Sequence, residues 1–282
     1  MSARLAPPMP YYGSKQTIGP AIAALLPEHQ HYVEPYGGSL AVLLAKRPSS
    51  QETVNDLSRE LMTFWRVLRD RPADLARACA LTPHSRAEHD AAFVPAADDL
   101  EVARRVWIRL SQGRSNALYC RTGWRYQVAE NGLSLPGYLD AYRDRLIPAA
   151  ERLAGVSLEC LPALDIIARY GNDPTVAMYV DPPYARSTRN SSHYLHEMKT
   201  DDEHRELAAT LNATAAAVLL SGYHSPLYDE LYAGWHVHEF RTVNTQAGVR
   251  STRVEVVWSN RPFPNVTPSL FDEPPASEEV AR

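Results

Sequence analysis

A doubly wound α/β sheet interrupted by one long insert is the fold this 282-residue sequence predicts. Three observations predict it. Residues 31 to 56 run strand, glycine turn, helix, strand, acid. A set of short apolar strand candidates resumes after residue 155. Between residues 80 and 150 that rhythm is lost. Short apolar strands alternating with helical patterns are what a mostly parallel sheet covered on both faces requires.

The elements follow in order. "MSARLAPPMP" is Pro-rich and extended. "QHYVEPYGGS" reads as a strand, Tyr32 to Glu34, entering a glycine turn, and "LAVLLAK" after it has an apolar helical pattern. "ETVNDLS" is a second strand ending at Asn55-Asp56. "SRELMTFWRVLRD" and "RPADLARACA" read as helices. Beyond the insert, "VSLECL", "VAMYVDPPY", "AAAVLLSGY", "WHVHEF" and "VEVVWSN" are strand candidates, with "DDEHRELAATLNA" a helix between two of them. The expected organisation is a catalytic α/β domain of residues 1–60 and 151–260, an inserted, mostly helical segment of 61–150, and a Pro-rich acidic tail, 261–282, expected to be disordered.

Composition excludes several classes. The chain is 45% hydrophobic and 22% charged, with a formal net charge of −4, so any surface for a polyanion must be a local patch. Cys79, Cys120 and Cys160 are far apart and form no CxxC pair, which supports neither a disulfide framework nor a zinc site. His196, Glu197 and His204 lack metal-ligand spacing, so no metal is expected. No signal peptide and no bilayer-length apolar stretch is evident, so a cytoplasmic protein with no membrane partner is expected.

The chemistry concentrates at "YVDPPY". Ligands of open α/β sheets sit beyond the carboxyl ends of the strands, where Asp181 falls. Pro182 and Pro183 fix φ twice and remove two N–H donors, leaving carbonyls that only accept. An aspartate with such a carbonyl makes a two-acceptor cradle for an NH₂ group, and Tyr184 adds an aromatic face for a planar base. Two acceptors on an exocyclic amine favour a pyramidal nitrogen, whose lone pair can attack a methyl group on a sulfonium without metal or covalent intermediate. As a plain alternative, the same tetrapeptide ends a strand around a packed tyrosine.

A second cluster is "EPYGGS", Glu34, Pro35, Tyr36, Gly37, Gly38 and Ser39. Its glycines permit a tight turn and close approach of a ligand. It is not the dinucleotide GxGxxG, because Leu40 stands where a third glycine would, which argues against a pyrophosphate cofactor. Asp56 suits ribose hydroxyls or a helix N-cap. "YYGSK" supplies Tyr11, Tyr12 and Lys15, the last suited to a ligand carboxylate or to solvent.

Taken in this order, "YYGSK", "VEPYGGSLAVLL", the insert, "YVDPPY" and "VEVVWSN" resemble the N6-adenine-specific DNA methyltransferases of the DNA adenine methylase type. The resemblance covers most of the chain. It implies a Rossmann-like S-adenosyl-L-methionine-dependent methyltransferase fold carrying a target-recognition insert, with double-stranded DNA as partner in a bacterial nucleoid or a phage-infected cell. It implies that Asp181 and Pro182 hold the target amine and that Tyr184 stacks on the flipped adenine. Tyr11, Tyr12, Lys15, Tyr36, Gly37 and Asp56 would line the cofactor pocket. Leu40 departs from the fuller glycine motif. Where many relatives carry an acid near the cofactor's adenine, "LECLPALD" offers Pro162, so Asp165 is not assigned to the cofactor.

The insert stretch "EVARRVWIRLSQGRSNALYCRTGWRYQ" carries Arg104, Arg105, Arg109, Arg114, Arg121 and Arg125 against the single acid Glu101. Trp107 is expected in the core, its helix carrying the first arginines on a solvated face. Arg114, Arg121 and Arg125, in a Gly/Ser/Asn-rich loop or hairpin, are expected on DNA. Arg186, Arg189 and Tyr194, in a polar loop after the tetrapeptide, are expected near the target strand. In the tail, Leu270 and Phe271 of "PSLFDE" resemble a peptide that docks on a sliding clamp. Alternatives share the fold: another NH₂ acceptor (cytosine, RNA adenine, a glutamine amide), a silent DNA-binding relative, or a nicotinamide dehydrogenase, against which the missing GxGxxG counts.

Overall fold

The structure is a computed structural model describing residues 5–121, 123–126, 134–184, 198, 200–246 and 249–264, the side chains of 242–246 and 249–253 excepted. Its strands are β1 (His31–Glu34), β2 (Gln51–Asn55), β3 (Ser157–Glu159), β4 (Val176–Val180), β5 (Ala217–Gly222), β6 (His236–Gln246) and β7 (Val249–Ser259). They form one seven-stranded sheet in the order β3-β2-β1-β4-β5-β7-β6. The first five run parallel, and β7 enters antiparallel between β5 and β6. Every strand candidate of the sequence lies in this sheet.

The helices are α1 (Gly19–Ala24), α2 (Ala41–Ala45), α3 (Arg59–Asp70), α4 (Pro72–Leu81), α5 (Arg86–Ala91), α6 (Asp99–Gln112), α7 (Leu135–Arg143), α8 (Leu146–Leu153), α9 (Ala163–Tyr170), α10 (Asp201–Asn212) and α11 (Pro226–Leu231). They divide between two apolar cores, one on each face of the sheet. Strand alternation feeds both: Tyr32, Tyr179 and Leu219 enter the core of α2, α3 and α8, while Val33, Met178, Val180, Val218 and Leu220 enter that of α9, α10 and α11. Burial on both faces is why these strands read as unbroken apolar runs.

The boundary expected at 60/61 falls inside α3, whose Phe64, Trp65 and Leu68 share a core with Leu40, Val42 and Leu43 of the sheet layer and with Trp107 of α6. Ser58 caps α3, accepting from Leu61 N–H at 3.2 Å. After α6 the chain turns back, with an antiparallel bridge between Gly113 and Trp124 and Arg125 N–H donating to Gln112 O at 2.7 Å. At the other end, within residues 261–264, expected to begin the disordered tail, Arg261 and Phe263 make contacts with the sheet side of the chain. Arg261 donates to Ala215 O at 3.0 Å, and Phe263 lies edge-on to His238.

Candidate active site

A cavity of about 590 Å³ opens at the carboxyl ends of β1, β2 and β4. The glycine turn between β1 and α2 forms one wall. Gly38 has φ +49°, and a Cβ there would stand 3.2 Å from the ring of Tyr11. A Cβ on Gly37 would meet Leu40 at 2.9 Å and the carbonyl oxygen of Asn55 at 3.0 Å. Leu40 itself is left-handed, at φ 53°. The place of the missing glycine keeps a conformation that glycine adopts more cheaply.

Asp56, at the end of β2, ties this turn to α3. One of its carboxylate oxygens accepts Gly38 N–H at 3.0 Å and the other Ser58 N–H at 2.9 Å. Trp65 donates its indole N–H to Gly38 O at 3.1 Å. The "YYGSK" segment closes over the turn, with Ser14 and Ser39 hydroxyls 2.8 Å apart. Tyr12 N–H reaches Asn116 O at 2.9 Å, bringing the insert's loop to the cavity rim.

Asp181 leaves β4 on the same cavity wall. Expected to meet a ligand carboxylate, Lys15 instead meets two acids of the protein. Its Nζ lies 2.9 and 2.8 Å from the two Asp181 oxygens, 3.2 Å from Glu255 Oε1 and 3.1 Å from Gly13 O. Burial works against its charge, but Asp181 and Glu255 outweigh that and hold its pKa well above the ordinary value. Burial pushes the Asp181 carboxyl up, with Lys15 opposing and Glu255 adding to the rise. Tyr184 donates to Asp181 Oδ1 at 2.9 Å and stands in a short contact with Glu255 Oε1. Its ring packs edge-on to Tyr223, with Lys15 Nζ 5.0 Å from its centroid.

Of the residues expected at the cofactor, Tyr11, Tyr12, Lys15 and Asp56 line the cavity, as do Glu34 to Ser39. Of the tetrapeptide, Asp181 and Pro183 line it, whereas Pro182 is buried behind them and Tyr184 stands beside the wall. Pro162 lines it too, and Asp165 does not. Burial raises Glu34, whose Oε2 accepts Tyr32 O–H at 3.0 Å, to about 8.

Sequence reasoning missed Glu255, Asn116, Tyr119, Glu203 and Glu206. Asn116, Tyr119 and the two α10 glutamates line the cavity from segments read only as a loop and a helix. Glu255 carried a signal, being a lone acid inside the apolar run "VEVVWS".

The first arginines of the basic stretch do not lie on a solvated face as expected: Arg104 and Arg105 are half-buried and Arg109 is buried. Trp107 is fully buried. Arg104 and Arg105 pair with Glu101 at 2.7 and 2.6 Å, and Arg109 pairs with Glu60 at 3.0 Å. Arg114 and Arg121 are exposed, over the rings of Tyr126 and Phe93 at 4.6 and 4.9 Å. Arg125 is half-buried and donates to Gly113 O at 3.1 Å and Asn116 Oδ1 at 2.8 Å. Arg186, Arg189, Tyr194, Leu270 and Phe271 lie outside the described residues. Among the described residues no group of three or more His, Cys, Asp or Glu is placed to hold a metal, and no helix is long and apolar enough to cross a membrane.

The Type II methyltransferase M1.LlaDCHI of Lactococcus lactis subsp. cremoris is 23% identical over 262 residues, covering 86% of this chain and 90% of its own. Two solved structures are similar at a TM-score of 0.36. Precorrin 8w decarboxylase of Methanobacterium thermoautotrophicum is 8% identical, with 89% of this chain and 91% of that one covered. A SAM-dependent methyltransferase of Agrobacterium tumefaciens is 10% identical, with 86% and 58% covered. The family model for D12 class N6 adenine-specific DNA methyltransferases matches residues 11–121 and 138–246, spanning the glycine turn, the insert and the Asp-Pro-Pro-Tyr segment. The chain belongs to that family of adenine-specific DNA methyltransferases.

Proposed function

We propose that this chain moves a methyl group from S-adenosyl-L-methionine to the exocyclic N6 amine of an adenine turned out of duplex DNA, by one direct displacement. The observation that carries the reading is the position of Asp181, a carboxylate at the end of β4 on the wall of the cavity that the glycine turn also lines.

The residues present fit the cofactor. Among the described residues, Asp56, Asp181, Glu203 and Glu206 line the cavity together with the cation Lys15, a balance suited to a ligand with a sulfonium and an ammonium group. The volume is that of an ordinary small-molecule site, roughly 300–1,000 Å³. Asp56 lines the cavity from the end of β2, where a carboxylate can accept ribose hydroxyls. Pro162 and Leu164 supply an apolar wall for the cofactor's adenine. Bound there, S-adenosyl-L-methionine supplies an electrophilic methyl group.

The chain's own residues prepare the acceptor. Asp181 and the carbonyl of Pro182 accept the two N6 hydrogens and turn the nitrogen lone pair toward the methyl. Lys15 keeps Asp181 ionised despite its burial, and so able to accept. Tyr184 offers its ring to the extruded base. Residues 61–150 serve target recognition, with Arg114, Arg121 and Arg125 on the phosphates or base edges and Arg186, Arg189 and Tyr194 near the target strand. A partner role in restriction-modification follows the printed name of the Lactococcus relative.

Transfer of labelled methyl groups to unmethylated duplex DNA, followed by nucleoside analysis, tests the reading. Labelled N6-methyladenine is expected. Label in cytosine, or none on any DNA, overturns it.

A further inference from the structure

The acid cluster around Lys15 holds fewer hydrogens than its geometry uses. Lys15 has three ammonium hydrogens for Gly13 O, Asp181 Oδ1, Asp181 Oδ2 and Glu255 Oε1, all within 3.2 Å. Tyr184 has one phenolic hydrogen, yet its oxygen stands within hydrogen-bond distance of both Asp181 Oδ1 and Glu255 Oε1. Among the described residues, the Asp181–Tyr184–Glu255 line therefore has room for one more proton. With that proton on Glu255, Glu255 donates to the phenol and the phenol donates to Asp181, and every contact is satisfied.

Methyl transfer to a neutral amine supplies such a proton. When the N6 lone pair forms its bond to the methyl carbon, nitrogen becomes cationic and must lose a hydrogen to give neutral N6-methyladenine. We propose that Glu255 is the positioning and proton-receiving residue of this site, holding the Tyr184 phenol on Asp181 and taking through it the proton that N6 releases. The proposal rests on the methyl-transfer reading above. In the balanced step, the N6–H bond breaks as an O–H bond forms on Asp181. Asp181 passes its proton to the Tyr184 oxygen as the phenol passes its own to Glu255 Oε1. Asp181 and Tyr184 end as they began, and Glu255 ends as the neutral acid. No oxidant or further reactant is needed.

Glu255 touches neither the cavity nor the base, so it acts through Tyr184 and Asp181. Among the described residues, the charged and titratable groups around the line are Lys15 from the N-terminal segment, Glu34 from β1, Tyr179, Asp181 and Tyr184 from β4 and its continuation, Tyr223 after β5 and Tyr228 of α11. Ser221 of β5 holds the Tyr179 hydroxyl at 2.8 Å. Nothing on α10 or α11 needs to titrate for the relay to work.

Single-turnover methyl transfer over a pH range tests this, with wild-type protein, Glu255→Gln, Glu255→Asp, Tyr184→Phe and the double variant Tyr184→Phe/Glu255→Gln. Glu255→Gln is expected to bind cofactor and DNA as wild type does and to lose about tenfold or more of the transfer rate. Its acid limb is expected to move to lower pH, because Asp181 no longer has a second carboxylate beside it. Glu255→Asp should recover part of the rate, and Glu255→Gln should cost nothing further once Tyr184 is Phe. Should Glu255→Gln not fold, Tyr184→Phe must lose a comparable share of the transfer rate with its acid limb moved to higher pH, because Asp181 keeps Glu255 beside it and loses the phenol that donates to it. An unchanged rate and pH profile in Glu255→Gln, additive losses in the double variant, or a loss confined to binding overturns the relay. Wild-type protein that methylates no adenine overturns the underlying reading instead.

Discussion

Lys15 and Asp181, 166 residues apart in sequence, meet as a buried ion pair in which one ammonium spans both carboxylate oxygens at 2.9 and 2.8 Å. The pair locks the N-terminal segment onto the end of β4. Burial and Glu255 push the Asp181 carboxyl up, and the Lys15 ammonium opposes them.

Replacing Lys15 by Met leaves Asp181 and Glu255 buried without their cation. Breaking such a pair costs about 3 kcal/mol or more. Because its folded pKa is raised, Lys15 contributes this stability throughout the neutral range and loses it only as pH rises through that raised value. In the variant the two acids can take up protons, so the deficit shrinks toward acid. Urea unfolding at pH 7.5 and 5.5 checks this, and equal stability of variant and wild type at both pH values contradicts it.

Glu34 predicts a pH dependence of the same sign at lower pH. Burial lifts it from 4.5 to about 8, so between those values the unfolded chain has released a proton that the folded chain keeps. Stability then falls as pH rises across that window, by on the order of 4 kcal/mol from this group. Glu34→Gln, which keeps an acceptor for Tyr32 O–H, should remove most of that slope and be the more stable protein at pH 8. A denaturation series giving both proteins the same slope would sink the assignment.

At the glycine turn, Gly37→Ala drives a methyl against Leu40 and the Asn55 carbonyl. A loss of about 1–3 kcal/mol of stability is expected. Cofactor affinity should drop with it, by about tenfold for each 1.4 kcal/mol of strain expressed in the bound state. Thermal unfolding and calorimetric titration with cofactor measure the two effects, and an unaltered value for both refutes the close approach.

The three insert arginines should separate. Arg114→Ala and Arg121→Ala, both exposed, should each lower the salt slope of DNA binding by about 1 and leave the melting temperature unchanged. Arg125→Ala should also loosen the hairpin, because its guanidinium holds Gly113 O and Asn116 Oδ1. Binding isotherms between 50 and 200 mM salt decide. A slope indifferent to Arg114 and Arg121 removes them from the DNA surface.

The sheet was legible because its strands are buried on both faces and so carry dense apolar signals, from "YVE" to "VEVVW". The cavity's near wall was legible because Gly37, Gly38 and Asp181 sit at strand ends, where backbone geometry restricts residue choice. The far wall was not. Asn116 and Tyr119 arrive from a loop whose path is set by one bridge and a few long-range bonds, and Glu203 and Glu206 read locally only as the start of a helix. Glu255 was visible as an acid in an apolar strand, but its partners lie at positions 15 and 184, and strand periodicity says nothing of residues that distant. The domain boundary drawn at residue 60 cuts α3 because its apolar face serves both the sheet and the insert, a sharing that composition does not mark.

The most direct test of the account is single-turnover methyl transfer to duplex DNA by wild-type protein and Asp181→Ala, with cofactor affinity measured alongside. The account predicts N6-methyladenine from wild type, a fall of about 10³-fold in rate for Asp181→Ala, and cofactor binding largely kept. Transfer to adenine by Asp181→Ala at close to the wild-type rate would contradict it.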